Sequence, residues 1–324
     1  MDPNDPIRFA FVLDGQGGGR ELDSAAVQTW KADDGVLWIH LKRDEPSTRP
    51  VLERALGLDA VTVAALLAEE TRPRAVLHDG GAIVNLRGVN TNPGADPEDM
   101  VSLRIWVDRS RIVTVRLRKL LAMEDMAKAI ADGAGPKTSG GVLTYLSERL
   151  VHRMFPVIDE MEEQLDGCEE RLIDNATPEI RKTLGVIRRR AIALRRFLAP
   201  QRESMIVLQT QDAGFLTDLH RVRLRESADR LQRIIEDLDE VRERAAVIQD
   251  ELSSIMSEHM NKTMYLLTVV AAVMLPLGFL TGLLGINVGG MPGADASWAF
   301  WAVCGGLGVM VAVEIWALKR LKWI

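Results

Sequence analysis

A handful of side chains sit where they could do chemistry that a folded core does not need. Asn287 is the clearest. It is the single carboxamide of GLLGINVGGMPG (282–293), a stretch with no charge before Asp295 and little bulk. An amide oxygen is a neutral hydrogen-bond acceptor, and a chain needs a reason to place one there. A helix C-cap is one ordinary use of an asparagine at such a position. Glu236, Asp239, Glu243 and Asp250 recur at helical spacing, on one stripe with Ser253, Ser257, Met260 and Met264. Repeated around an axis, that stripe would present rings of carboxylate and hydroxyl that attract cations, narrowing to thioether. A solvated helix face would carry the same residues. His259 lies one turn before an apolar segment, where an imidazole can ligate a metal or carry a proton.

Other chemistries find less support. His40, His78, His152 and His220 form no His-x-x-x-His pair and neighbour no cysteine, so they read as structural or surface residues. Cys168 and Cys304 are far apart and belong to no paired-cysteine motif, which leaves neither a zinc knuckle nor a disulfide framework. The glycines at 17–19 lack the strand-to-helix context of a phosphate loop and read as a turn. With no nucleophile–base set either, the chain does not read as an enzyme, and nothing calls for a covalently bound cofactor. The balance of 46 acidic against 40 basic residues, net −6, argues against nucleic acid as a partner.

The elements that must hold these residues follow from hydrophobic patterning. Residues 265–286 carry no charge, and at about 1.5 Å per residue they span the hydrocarbon of a bilayer. Pro276 inside the segment is tolerable in a membrane helix. Residues 298–318 make a second span, broken only by Glu314 and flanked by Trp298, Trp301, Trp316 and Trp323 as interfacial anchors. An intramembrane carboxylate is a functional candidate, though its closeness to Lys319 favours snorkelling or an ion pair. Lys262 precedes the first span; Lys319, Arg320 and Lys322 follow the second; the 287–297 connection has neither Lys nor Arg. Both termini are therefore expected in the cytoplasm and the loop outside, in the inner membrane if the source is a bacterium. The acidic, Pro-containing start is not a secretory signal.

Ahead of the spans the expected order is a mixed α/β domain over 1–132, then a linker and antiparallel helix pair over 133–216. A stalk helix over 217–286 continues into the first span, and a basic tail occupies 319–324. IRFAFVL, GVLWIHL, SLRIWVD and RIVTVRL read as strands, and RAVLHDGGAIVNLRGV as a hairpin turning at Gly80–Gly81. GAGPKTSGG reads as a linker. One helix is expected over 142–173, strongly acidic in its second half. A basic one follows to about 211, with Thr177 as N-cap and Pro178 at its first position. Their opposite charges suggest pairing. The stalk carries Leu231, Ile234, Leu238, Val241, Ala245, Ile248, Leu252 and Ile255 as an apolar stripe. A helix near seventy residues cannot stand alone in water, so oligomerisation is implied.

With these elements in place the C-terminal part resembles the CorA family of divalent-cation transporters. GIN (285–287) ending the first span resembles the family's Gly-x-Asn signature. NKTMYLLTVVAAVMLPLGFLTGLLGINVGGMPG resembles its Asn-containing approach, Pro-Leu, LTG and MP loop, and KRLKWI its basic tail. The likeness is strongest over 217–324. It implies a funnel-shaped homopentamer embedded in the lipid bilayer, with the first span lining the pore and Asn287 ringing its outer mouth. By the same resemblance the pore and selectivity residues would be Met264, Leu267, Leu275, Gly278, Gly285, Ile286 and Asn287. Asn287 would hold the cation through hydration water and His259 would be a further metal contact; Glu236, Asp239, Glu243 and Asp250 would line the cytoplasmic conduit. Ile286 replaces the magnesium branch's usual methionine, glycines stand where acidic loop residues are common, and Gly278 stands where a pore hydroxyl is often found. These departures look like the ZntB-type zinc branch, which implies Zn²⁺ as cargo and proton-coupled uptake, with Mg²⁺, Co²⁺, Ni²⁺ or Cd²⁺ as alternatives. A Mg²⁺/Co²⁺ channel is the competing expectation; a membrane-anchored scaffold or sensor would leave the GIN ending and uncharged loop unexplained.

Overall fold

The computed structural model describes residues 5–69, 71–174, 177–286, 293 and 296–321. The chain divides into two compact units, 1–249 and 250–324. In chain order the elements are β1 (Ile7–Leu13), β2 (Gly19–Glu21), α1 (Ser24–Thr29), β3 (Val36–Lys42), α2 (Thr48–Pro50) and α3 (Ala60–Leu67). Then come β4 (Arg74–His78), β5 (Gly81–Gly88), β6 (Val101–Val107), β7 (Arg111–Arg116), α4 (Leu121–Ala131), α5 (Ser139–His152), α6 (Phe155–Asp174), α7 (Pro178–Thr210), α8 (Asp218–Leu284) and α9 (Ala299–Arg320). A mixed α/β part, a long helix and an apolar C-terminal helix are thus the observed architecture, as the patterning predicts.

The strands form one sheet in the order β2-β1-β3-β7-β6-β5-β4. Every pairing is antiparallel except β3 with β7. Side chains alternate between the two faces, and each face has its own apolar core. Phe11, Trp38, Val84, Leu86, Leu103, Ile105 and Ile112 pack with Met123 and Met126 of α4, Leu143 and Leu146 of α5, and Leu208, Phe215 and Leu224 further on. Ala10, Val12, Leu37, Ile39, Ile83, Trp106, Val113 and Val115 pack with Leu52, Leu56, Val63 and Leu66 on the other face. A register shift between Ile7 and Phe9 puts Ile7 with the second group, as a β-bulge does.

Four details depart from the sequence expectations. The β4–β5 turn sits one residue earlier, on Asp79 (φ 45°) and Gly80 (φ 73°), the two left-handed residues that a two-residue hairpin needs. The helix expected over 142–173 is two helices, α5 and α6, and the second begins with Phe155–Pro156. A proline in a first turn is tolerated, whereas inside a continuous helix it would remove a hydrogen bond. The stretch expected to be a linker enters α5: Thr138 Oγ accepts from Gly141 N at 3.0 Å as its N-cap, and α5 then buries Leu143, Leu146 and Leu150 in the sheet's core. Finally, Thr177 does precede Pro178, but its side chain makes no capping hydrogen bond.

Trp38 is the pin of the first core. It is fully buried, its ring stacks with Phe9 and Phe11 at centroid distances of 5.9 and 5.8 Å, and its Nε1 donates to Thr114 Oγ at 3.2 Å. Thr114 Oγ also meets His40 Nδ1 at 2.9 Å and donates to the Ile39 carbonyl at 3.0 Å. Burial, with Arg116 next, drives the His40 pKa well below the usual imidazole range, so this ring is neutral. Trp38→Ala is expected to remove about 3–5 kcal/mol from the stability of this unit, read as a lower denaturation midpoint of the detergent-solubilised chain.

Candidate ion path

Every residue expected on the ion path lies on α8 or just beyond it. Over its first part α8 is held by an apolar seam: Leu231, Ile234, Leu238, Val241, Ala245, Ile248 and Leu252 are buried, as their spacing predicts, and Ile255 is half-buried. Between these residues, charges tie α8 to its neighbours. Arg195 of α7 lies 2.8 Å from Asp239, and Arg188 Nη1 donates to Gln249 Oε1 at 3.1 Å. Arg244 reaches Asp166 at 2.7 Å and Glu169 at 2.9 Å on α6. The acidic helix α6 therefore meets an α8 arginine as well as the basic helix α7, where Arg190 lies 3.6 Å from Glu160.

This arrangement separates the four conduit candidates. Asp239 is half-buried and engaged by Arg195, with Arg242 a further 3.3 Å contact. Glu236, Glu243 and Asp250 are exposed; Glu236 accepts from Gln232 at 2.6 Å and Glu243 lies 3.5 Å from Arg242. His259 is exposed, and no group of three or more His, Cys, Asp or Glu that could hold a metal occurs among the described residues. Sequence reading missed a second acidic group. Glu162 of α6 stands among Asp237, Asp159, Glu240 and Asp166, and burial followed by these like charges raises its pKa. Asp237 is raised by burial, Glu240 and Glu236. Acidic composition was visible in both helices; which carboxylates face one another depends on the register of α6 against α8.

Further along, α8 continues through Pro276 without interruption to Leu284. Met264, Leu267 and Leu275 are 60%, 63% and 71% exposed in the single chain, the opposite of a soluble core helix. Gly278 and Gly282 face open space: a Cβ at either would meet nothing within 4 Å. At 100° per residue, Met264, Leu267, Ala271, Leu275, Gly278, Gly282 and Gly285 fall within about 80° of arc, one face of the helix. Thr281 Oγ back-bonds to the Leu277 carbonyl at 2.9 Å, and Gly285 N donates to the Thr281 carbonyl at 2.9 Å as the helix closes. Ile286 is exposed; Asn287 and most of the loop to Ser297 lie outside the described residues, as do Lys322 and Trp323. Both α8 and α9 contain a stretch long and apolar enough to cross a membrane. Glu314 of α9 is half-buried with Oε2 unpartnered and no ion pair to Lys319 among the described residues, while Arg320 lies over the Trp316 ring at 5.6 Å.

The chain thus combines a sheet domain, one very long helix and two stretches long and apolar enough to cross a membrane, and comparison with known proteins supplies the class. Residues 33–320 match the family of the CorA-like Mg²⁺ transporter protein, and the chain belongs to that family. It is 41% identical over 323 residues to the divalent cation transporter CmaX of Pseudomonas aeruginosa, covering 98% of this chain and 96% of the relative. It is 34% identical over 315 residues to the zinc transport protein ZntB of Pectobacterium atrosepticum, covering 97% and 95%. The full-length CmaX structure superposes with a TM-score of 0.87 at 39% identity, covering 98% of each chain. The CorA magnesium transporter of Methanocaldococcus jannaschii shares the fold, with a TM-score of 0.82 at 18% identity over 97% of this chain and 98% of that one. The chain is accordingly a divalent-cation transporter of the ZntB-type branch, a membrane protein and not an enzyme.

The facing carboxylates give a pH prediction. Because folding raises the Glu162 pKa above its ordinary 4.5, the folded chain favours the protonated acid. The stability this confers is complete below about the ordinary value and is lost as pH rises through the raised one. Glu162→Gln should therefore raise Tm at pH 7 by on the order of 1–2 °C, as expected for relief of a like-charge contact. The difference from wild type should vanish in thermal melts below about pH 4.

Proposed function

We propose that this protein carries Zn²⁺ across the bacterial inner membrane as a homopentamer. Both termini lie in the cytoplasm and the 287–297 loop outside, and uptake is coupled to protons. The carrying observation is the single face of α8 on which Met264, Leu267, Leu275 and Gly278 succeed one another, with Gly285 just past its end, before Asn287 in the sequence. Five such faces around an axis leave a narrow apolar passage ending in five carboxamides. The apolar part closes by dewetting, and the amide oxygens bind the hydrated ion at the mouth without displacing its shell. Ile286 sets the neighbouring wall. Glu236, Glu243 and Asp250, with exposed carboxylates, concentrate cations along the cytoplasmic approach; Asp239 contributes less, because Arg195 already neutralises it. His259 offers an imidazole next to the membrane for zinc or a proton in transit. Zinc is favoured over magnesium by the relatives named as zinc transport proteins and by the Ile286 and glycine-loop departures. The Mg²⁺/Co²⁺ alternative rests on the family description and on a relative named only for divalent cations.

Proteoliposomes loaded with a zinc-sensitive dye test the proposal. Wild-type chain is expected to admit Zn²⁺ faster when the outside is acidic, and Asn287→Ala to lower the flux roughly ten-fold, the scale of one lost charge-assisted hydrogen-bonding ring. Flux equal to that of empty vesicles ends the transport reading. Mg²⁺ or Co²⁺ flux exceeding Zn²⁺ flux, without response to the pH gradient, replaces zinc by the alternative cargo. A separate measurement, the mass of the assembly in lipid nanodiscs, is expected to equal five chains.

A further inference from the structure

His220 is the third residue of α8, and its ring touches the caps of two helices. Thr217 stands at the N-cap of α8: its carbonyl accepts from Arg221 N at 3.0 Å and its Oγ from His220 N at 3.4 Å. In return, Thr217 N donates to His220 Nδ1 at 3.2 Å. That is the reciprocal arrangement of a capping box, with an imidazole where Glu or Gln ordinarily stands. The other ring nitrogen, Nε2, lies 3.5 Å from Thr138 Oγ, which caps α5 by accepting from Gly141 N at 3.0 Å.

These contacts fix the tautomer. A backbone N–H only donates, so Nδ1 must accept and carries no proton; the single ring proton sits on Nε2, toward Thr138. The residue is buried, with its ring against the first turn of α5, where a Cβ at Gly140 would come within 2.8 Å of Nδ1. A second proton on this ring would take away the acceptor of the Thr217 bond. It would also set a positive charge at the N-terminal ends of α5 and α8, where the helix dipoles oppose it.

The neighbouring charges do not compensate. Arg223, further along α8, is paired with Glu148 of α5 at 2.6 Å. In the connection before α8, Arg221 is engaged by Asp212 at 3.3 Å and by the Gln209 and Gln211 carbonyls, and Arg109 donates to the Gly214 carbonyl at 2.9 Å. Lys137 and Asp218, each next in sequence to a capping threonine, are exposed. Among the described residues no carboxylate pairs with His220, and burial, then Arg223, lowers its pKa below the ordinary 6.5.

We infer that His220 is a pH-sensitive latch between α5 and the first turn of α8: neutral, it completes the α8 cap and meets the α5 cap; protonated, it releases Thr217. Because folding favours the neutral ring, the latch contributes fully above the ordinary value and is lost as pH falls through the lowered one. The latch sits at the root of the helix that carries the expected ion-path residues, well before them in sequence, so acid acts on that helix without titrating them. It lies within the first unit and does not depend on the transport reading.

Hydrogen exchange read by mass spectrometry on the full chain in nanodiscs, corrected for the intrinsic effect of pH on exchange, tests the latch. Between about pH 7.5 and about pH 5, amides at 139–142 and 217–221 are expected to lose protection together by roughly five-fold, the worth of a helix cap, while β6 keeps its protection. His220→Gln keeps an acceptor for Thr217 N without a titrating ring, so it should match wild type at the upper pH and show no loss at the lower one. His220→Glu, the ordinary capping-box residue, should behave likewise and serves if the glutamine variant does not fold. An unchanged wild type, a loss shared equally by β6, or a variant that loses as much protection as wild type overturns the latch.

Discussion

The apolar seam along the first part of α8 is the constraint from which the rest follows. A helix of 67 residues is too long to stand in water on propensity alone. It does so because Leu231, Ile234, Leu238, Val241, Ala245 and Ile248 are buried, as are Met161, Leu165 and Cys168 of α6 and Leu184, Ile187 and Leu194 of α7. Each large side chain removed from water contributes about 1.5–3 kcal/mol, whereas a half-exposed ion pair contributes about 0–1. The seam therefore supplies the adhesion. The pairs Arg195–Asp239 and Arg244 with Asp166 and Glu169 select which faces meet.

Where the seam ends, the same helix changes solvent. Its exposed residues pass from carboxylates at Glu243 and Asp250 to Met260, Met264 and Leu267. The backbone needs no rearrangement at that point, since a helix satisfies its own hydrogen bonds in either medium. Within α8 the chain therefore passes from buried to exposed apolar residues without a break in the helix. The carboxylates of Glu243 and Asp250 and the glycines at 278 and 282 thus belong to one helix.

Most of this was legible because it rests on periodicity. Strands at β1, β3, β6 and β7, the extent of α7, the buried stripe of α8 and both spans follow from spacing that local chemistry enforces. The break between α5 and α6 was legible in principle, since Pro156 announces it, but the apolar spacing on either side runs in phase and hides it. The glycines at 140 and 141 misled for a physical reason. They read as breakers, yet a Cβ at Gly140 would approach His220 Nδ1 to 2.8 Å and the Phe215 carbonyl to 2.4 Å, so their smallness serves close packing at the start of α5. The partners of Asp239 and Glu162, and the meeting of His220 with Thr138, depend on register between segments distant in sequence. No local pattern encodes that register. The expectation that Asn287 and its neighbours line a pore came from the family resemblance and not from spacing, and Asn287 lies outside the described residues.

The sheet's first core has a consequence for synthesis. β3 pairs with β1 on one side and links that pair to the rest of the sheet through a parallel partner, β7, some seventy residues downstream, and the same core is completed by Leu208, Phe215, Leu216 and Leu224. A parallel pairing between distant strands forms slowly, after the intervening chain is available. On a ribosome, the face carrying Trp38 and Leu103 is covered in part by α4 and α5, and its cover is complete only once α7 and the opening turns of α8 have emerged, and the first span emerges only after them. A chain halted before residue 208 would lack Leu208, Phe215, Leu216 and Leu224 and leave part of that apolar face in water.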